Sequence, residues 1–230
     1  MPVPGTKLRV PPIRRRLVPR SRLIDQLSSA TGSVPRLVLI AAPAGFGKTT
    51  LLSQWLASDV QSAGELPLRV AWVSLDSGDS DVRQFLTNLV ASVRRCAEGV
   101  GEDASVMLDN ARNPLTEDIL ASLINDLDEV EGRTVLALDD YHLADSPAVH
   151  EAVTFVLDHL PPRITVALTT RADPPLPVAR LRSRGELVEI RAADLRFTQD
   201  EADLFLNKVM DLDLEPARVA ALEARTEGWA

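Results

Sequence analysis

Arg36 to Ser53 reads RLVLIAAPAGFGKTTLLS, and the reading of this stretch decides the fold. Leu37 to Ala42 is an apolar run of strand length, and Pro43, Ala44, Gly45, Phe46 and Gly47 make a small glycine-bearing turn. Lys48, Thr49 and Thr50 then open a segment whose apolar residues Leu51, Leu52, Trp55 and Leu56 recur at helical spacing. The expectation is strand, tight loop, helix. Such a loop aims several backbone N–H groups at one spot, which requires residues tolerant of left-handed backbone angles, here Gly45 and Gly47. The first helical turn adds its unpaired N–H groups and the positive end of its dipole, so the loop suits phosphate.

A lysine and a hydroxyl stand in register behind the glycines. Lys48 is placed to reach the β and γ phosphates of a nucleotide, and the Thr49 hydroxyl to take one position on Mg²⁺. The stretch matches the P-loop pattern GxxxxGK[ST] except at its first position, where Ala42 replaces glycine. A turn that merely joined strand to helix would explain the glycines but not Lys48 and Thr49.

Working outward, apolar runs alternate with helical periodicity. Arg69 to Leu75, Thr134 to Leu138, Ile164 to Thr170 and Glu186 to Ile190 read as further strands. Helices are expected over Arg20 to Leu27, after a cap at Asp79 or Ser80 with Val82, Phe85, Leu86, Leu89, Val90 and Val93 inward, from Pro114 to Thr116 onward, and from Ser146-Pro147 to Leu160. Gly99 to Asn113 reads as a loop. The fold expected is α/β, a P-loop NTPase with a five-stranded parallel sheet flanked by helices; its resemblance to the ASCE-type P-loop proteins implies the strand order 5-1-4-3-2. From Phe197 the pattern is helical only, with a capping box at Thr198 and Glu201, apolar Leu204, Phe205 and Val209, and another helix from Pro216 carrying Val219 and Leu222. The expected division is an extended basic arm and short helix at 1–27, an NTPase core at 28–195, and the beginning of a helical lid at 196–230. Gly228-Trp229-Ala230 falls inside an element that reads as continuing, as in a truncated chain.

The chemistry gathers at strand ends. An apolar strand that ends in an acid is the expected partner of a phosphate loop, so Asp139 is the candidate for ordering Mg²⁺. Asp140 follows at once, in the place of the acid that activates water. Arg171, ending the next strand, could reach the γ phosphate or equally be a surface charge. Thr169 or Thr170 is a candidate for holding the attacking water. His142 reads as a structural hydrogen-bonding residue, because Asp140 already supplies the base. His150 and His159 are too far apart in sequence for a metal pair, and Trp55, Trp72 and Trp229 read as packing residues.

Bulk properties bound the rest. The 230 residues carry a net charge of −8, which argues against a nucleic-acid-binding module; any DNA contact must lie elsewhere. Cys96 is the single cysteine and forms no intramolecular disulfide, which favours a reducing compartment. No apolar run approaches the ~20 residues of a spanning helix, and the proline-rich, basic N-terminus lacks the apolar centre of a signal peptide. Arg14 to Arg16 read as a solvated arm. The expected location is cytoplasmic, with no membrane partner.

With these residues in place, the chain resembles the ATPase portion of MalT-like transcriptional regulators, the large ATP-binding members of the LuxR group within the STAND class of signalling NTPases. The resemblance runs through KLRVPPIRRRLVPRSRL (7–23), APAGFGKTTLLSQW (42–55), AWVSLD (71–76), LALDDYH (136–142), LTTRADPPLPVARLRSRGEL (168–187), LRFTQDEA (195–202) and TEGWA (226–230). It implies an ATP-driven switch in which ADP holds a closed form and ATP favours one that self-associates and activates transcription. Carried over by position, Pro43, Ala44, Gly45, Phe46, Gly47, Lys48, Thr49 and Thr50 hold the nucleotide phosphates. Asp139 joins Thr49 on Mg²⁺, Asp140 is the base, and Arg171 senses the γ phosphate. The segment at Val18 and Arg20 resembles the family's adenine-side contact, and the family's loops share the alanine at Ala42. The family's winged-helix, helical-repeat and DNA-contacting helix-turn-helix parts are not in these residues.

The functional expectation is therefore the ATP-binding, slowly hydrolysing switch module of such a regulator, a weak ATPase serving regulation. A stand-alone P-loop phosphotransferase is the alternative, for which Arg180, Arg182 and Arg184 are lid candidates that otherwise form a solvated or domain-contact face. A third is a scaffold that binds nucleotide without hydrolysis.

Overall fold

The computed structural model describes residues 3–13, 16–29, 34–62, 68–110, 115–226. Arg14 and Arg15, the end of the polar stretch before the second strand, Ala111 to Pro114, and Gly228 to Ala230 lie outside the described residues.

Leu37–Ala41 forms strand β1, with every residue buried. Such a strand must be covered on both faces, and its alternating side chains divide between two cores. Leu37, Leu39 and Ala41 enter one; Val38 and Ile40, with Ala42, enter the other. The remaining strands are β2 (Leu68–Ser74), β3 (Arg133–Asp139), β4 (Ile164–Thr170) and β5 (Leu187–Arg191). All pair in parallel in the order β2-β3-β4-β1-β5, the expected arrangement read from the opposite edge.

Helix α1 (Ser21–Ser29) and helix α2 (Lys48–Ser62) cover one face, where Leu23, Leu27, Leu51, Leu52, Trp55 and Leu56 pack on Val38, Ile40 and Trp72. On the other face lie α3 (Val82–Cys96), α4 (Glu102–Asn110), α5 (Thr116–Glu129) and α6 (Pro147–His159). Each fully buried leucine here contributes about 1.5–3 kcal/mol. After β4 come α7 (Val178–Ser183) and β5, then α8 (Ala192–Leu195), α9 (Gln199–Asp203), a π-helical turn over Leu204–Val209 and α10 (Pro216–Thr226). The Thr198 and Glu201 capping box forms as expected.

Two expectations are corrected. Helix α4 lies within the stretch read as a loop. Gly99 and Gly101, both at positive φ, make the turn into it, and Ala104 and Leu108 on one face enter the core beside α3 and α5, so tertiary burial outweighs a polar, poorly periodic sequence. The cap of α3 is Asp81, whose carboxylate accepts from Gln84 N, and not Asp79 or Ser80. Asp79 instead closes a capping box with Asp76 over the 3₁₀ turn Ser77–Ser80.

Asp79 is fully buried because the N-terminal arm brings it a cation. Lys7 Nζ lies 2.6 Å from Asp79 Oδ2 and 2.7 Å from Asp76 Oδ2, and Asn88 donates to Asp79 Oδ1 at 2.6 Å. Lys7 O accepts from Ser74 N, and Leu8 is buried in the core, so this part of the arm covers the end of edge strand β2. Replacing Lys7→Met strips the counter-charge from a buried carboxylate at a cost of about 3 kcal/mol. The expected result is a melting temperature lower by about 6–10 °C; an unchanged melting curve contradicts a pinned arm.

Candidate functional site

The strand order places the chemistry. Because β4 lies between β1 and β3, the carboxyl ends of the three strands set the phosphate loop, the Thr169-Thr170-Arg171 run and the Asp139-Asp140 pair side by side. Ala41 is paired with Thr170, and Ala42 N donates to Thr170 O at 3.2 Å. Ala42 is buried and is not in the left-handed region, so the departure from glycine there carries no backbone strain. Gly45 and Gly47, at φ 84° and 73°, do need their residue type. The first bond of α2 runs from Leu51 N to Gly47 O, leaving the N–H groups up to Thr50 without helical acceptors.

Lys48 is buried and turns back onto its own loop, its Nζ donating to Pro43 O at 3.0 Å. Burial pushes its pKa down; Asp140 opposes this, Arg171 adds to it and Asp139 opposes it. The Thr49 hydroxyl donates to Asp139 Oδ1 at 2.8 Å, and Thr169 Oγ1 donates to the same oxygen at 2.6 Å. Burial raises the Asp139 pKa, against the two hydroxyl bonds. Thr169 Oγ1 also accepts from Asp140 N at 2.8 Å, while Thr170 Oγ1 donates to Ala172 O. Both hydroxyl protons are thus committed within the protein, which leaves either hydroxyl to meet a water only as an acceptor.

Asp140 adopts a left-handed conformation, φ 57° and ψ 42°, at a cost of about 1 kcal/mol, and its side chain is 41% exposed. Arg171 is exposed and makes no ion pair or hydrogen bond among the described residues. The structure thus brings Lys48, Thr49, Asp139, Asp140 and Arg171 to one sheet edge. His142 departs from its expected structural role. Both of its ring nitrogens are buried with no hydrogen-bond partner among the described residues.

Two adjoining cavities meet at the loop. The larger, about 620 Å³, is lined by Lys48, Thr49, Asp140 and Arg171 together with Pro11 to Ile13 of the arm. The smaller, about 150 Å³, is bounded by Val18, Phe46, Leu195, Phe197 and Phe205, and both share Leu17, Gly45, Gly47 and Thr50. A polar chamber therefore opens into an apolar, aromatic-walled slot.

Arg20 borders the slot with its Nη2 already engaged by backbone carbonyls. Its guanidinium donates to Leu195 O at 2.8 Å, lies 4.7 Å from the Phe197 ring centroid, and pairs with buried Glu201 at 3.2 Å. Sequence reasoning missed Phe197 and Phe205 as cavity residues, since Phe197 marked only a change of pattern and Phe205 only helix periodicity. Nor did it single out Gln54, whose amide donates to Val18 O at 3.3 Å and fixes the entrance segment. Of the lid arginines considered, Arg180 pairs with Asp158 and Arg182 with Glu189, away from the loop.

The donor set at Thr49 and Asp139, a hydroxyl and a carboxylate, is hard oxygen and suits Mg²⁺. No group of three or more His, Cys, Asp or Glu residues able to hold a metal occurs among the described residues, so an ion here would depend on phosphate and water for its other ligands.

The family description "AAA ATPase domain" matches residues 16–169, more than half of the chain and all of the loop and acid pair. The chain belongs to the AAA ATPase domain family. This AAA domain is 35% identical over 225 residues to the HTH-type transcriptional regulator MalT of Cronobacter sakazakii, covering 98% of the chain and 24% of that protein. It is 37% identical over 229 residues to the serine/threonine-protein kinase PknK of Mycobacterium tuberculosis, covering 100% of the chain and 20% of that protein. The chain thus spans a quarter or less of these relatives, and the resemblance to MalT-like regulators expected from its motifs is borne out.

Among solved structures, the Aeropyrum pernix Orc1 protein in complex with DNA has a TM-score of 0.51 at 17% identity, covering 90% of this chain and 54% of that one. Drosophila ORC bound to DNA has a TM-score of 0.53 at 12% identity, covering 96% and 53%. At these identities the likeness is one of fold. The AAA domain implies nucleotide binding, and no helix among the described residues is long and apolar enough to cross a membrane.

Proposed function

We propose that this chain is the ATP-binding, slowly hydrolysing switch module of a MalT-like regulator. The observation that carries this reading is the Thr49 hydroxyl on the Asp139 carboxylate at 2.8 Å, directly behind a loop whose N–H groups have no helical acceptors. In this reading the phosphates take the larger cavity, on the N–H groups of residues 44–50 and on Lys48, and the adenine takes the aromatic-walled slot beside Val18. Thr49 and Asp139 would hold Mg²⁺, which supplies charge neutralisation at the β and γ phosphates when bound.

Asp140 accepts the proton of the attacking water as its oxygen bonds to the γ phosphorus. The bond to the β-phosphate oxygen breaks, and its electron pair leaves with ADP. Hydrolysis is slow because the Asp140 carboxylate is half exposed in the resting chain and must be ordered before it can act as a base. Turnover then acts as a timer. ADP marks the closed state and ATP the self-associating one, and DNA is contacted only by segments outside these residues, in keeping with the net charge of −8. The proposed divisions are the arm and α1 at 1–27, the NTPase core at 28–195 and a helical lid from 196. The proposed setting is the cytoplasm.

The relatives support a module over a stand-alone phosphotransferase. Essentially the whole chain is matched within a protein named as a transcriptional regulator and within one named as a kinase, so what they share with it is the nucleotide unit and not the output.

Arg171 is the proposed γ-phosphate sensor, so equilibrium binding of ATP and ADP to the Arg171→Ala variant tests the switch. A charge-assisted bond to phosphate is worth about 1.5–3 kcal/mol. ATP affinity should fall at least about tenfold while ADP affinity holds. An equal loss for both nucleotides, or none for either, contradicts the sensor.

A further inference from the structure

His142 sits on the 3₁₀ turn Tyr141–Leu143 that follows Asp140, with its imidazole 16% exposed. Its two ring nitrogens are buried, and neither has a hydrogen-bond partner among the described residues. Leaving a buried polar group unpaired costs about 1–3 kcal/mol, and a leucine or phenylalanine would fill the same space without that cost. Asp140 Oδ1 lies 3.9 Å from Nδ1, which is ion-pair range but too long for a hydrogen bond.

The charged groups that act on the ring are Asp140, Arg171 and Lys48. Of these only Asp140 can accept a proton from an imidazole N–H. Burial lowers the pKa of His142, Asp140 opposes the shift, and Arg171 and Lys48 add to it, so the ring is neutral and carries one N–H. Asp140 itself has the freedom to meet it, since its carboxylate is half exposed at a left-handed residue. A shift of roughly 1 Å closes the gap to hydrogen-bond length.

We propose that His142 is a positioning residue for Asp140: in the ATP-bound chain its Nδ1–H donates to Asp140 Oδ1 and leaves Oδ2 to take the proton of the attacking water. This rests on Asp140 being the base. His142 touches neither nucleotide nor water in this arrangement. It converts a loosely held carboxylate into an oriented one only when the site is filled.

The test is single-turnover ATP hydrolysis, with enzyme in excess, and ATP binding for the full chain and its Asp140→Asn, His142→Phe, His142→Leu and His142→Asn variants, plus Asp140→Asn with His142→Phe. His142→Phe and His142→Leu should slow hydrolysis about tenfold, with ATP affinity within about twofold and melting temperature unchanged or raised. The side-chain amide of His142→Asn can donate from near the Nδ1 position and should recover most of the rate. In the Asp140→Asn background, His142→Phe should cost less than about twofold. A full rate in both apolar variants, an equal tenfold loss in the Asp140→Asn background, or a loss explained wholly by weaker ATP binding overturns the proposal. A strong Asp140→Asn effect beside inert His142 variants overturns it alone, whereas an inert Asp140→Asn overturns the assignment of the base as well.

Discussion

Substituting Lys48→Ala should lower the affinity for ADP and ATP by about 10²-fold without loss of thermal stability. In the resting chain Lys48 Nζ has only the neutral carbonyl of Pro43 as a partner among the described residues, at 3.0 Å, inside a buried loop. Phosphate oxygens are charged acceptors, and exchanging a carbonyl for two of them gains about 3 kcal/mol, which corresponds to the expected factor. The depressed pKa of Lys48 gives the sign of the stability effect. Burial makes the folded chain hold this proton less tightly than the unfolded one, so at any pH below the ordinary lysine value the charged group disfavours folding. Alanine removes that penalty along with one modest hydrogen bond. Equilibrium titration with nucleotide and a melting curve read both effects. Unchanged affinity would sink the phosphate-loop reading, and a large drop in melting temperature would make Lys48 a structural residue.

The second large effect is expected at Asp140. Asp140→Asn keeps the shape and the backbone bond from Asp140 N to Thr169 Oγ1, and asparagine tolerates the left-handed conformation at φ 57° as well as aspartate does. It removes the ability to accept a proton. Turnover should fall by about 10²–10⁴, the usual worth of a general base, while ATP and ADP affinities stay within about twofold. Phosphate release measured beside direct binding separates the two. Unchanged turnover would move the base elsewhere. Asp139 is a poor substitute, since its Oδ1 already accepts from Thr49 and Thr169 and it is enclosed by its own strand and α2.

The parts of this structure that were legible in the sequence are those where one local requirement dominates. The glycines at positive φ, the lysine and threonine behind them, and the buried strands ending in Asp139 and Thr170 each follow from residue type and period. The strand order followed from the motif class that the acid pair suggested. Helix α4 was hidden because its two core residues, Ala104 and Leu108, are a sparse signal among acids and asparagine, and only the neighbouring helices make their burial worthwhile. Asp79 looked like a helix cap because its tie to Lys7 spans 72 residues, a distance no local pattern reports. The aromatic slot was invisible for the same reason. Val18, Phe46 and Phe197 are far apart in sequence and meet only once the sheet has brought the arm, the phosphate loop and the helices after β5 together. His142 was read as hydrogen-bonded because Asp140 already supplies the base, and only the folded structure reveals its unpartnered nitrogens.

Nucleotide occupancy of the loop is the premise on which every other assignment depends. The most direct test is calorimetric titration of the unsubstituted chain with ADP, in the presence and absence of Mg²⁺. The expected result is one ADP per chain, bound more tightly with Mg²⁺ because Thr49 and Asp139 exchange their mutual hydrogen bond for the ion. No binding at millimolar ADP, or binding indifferent both to Mg²⁺ and to Lys48→Ala, would contradict a phosphate site at Gly45 to Thr50.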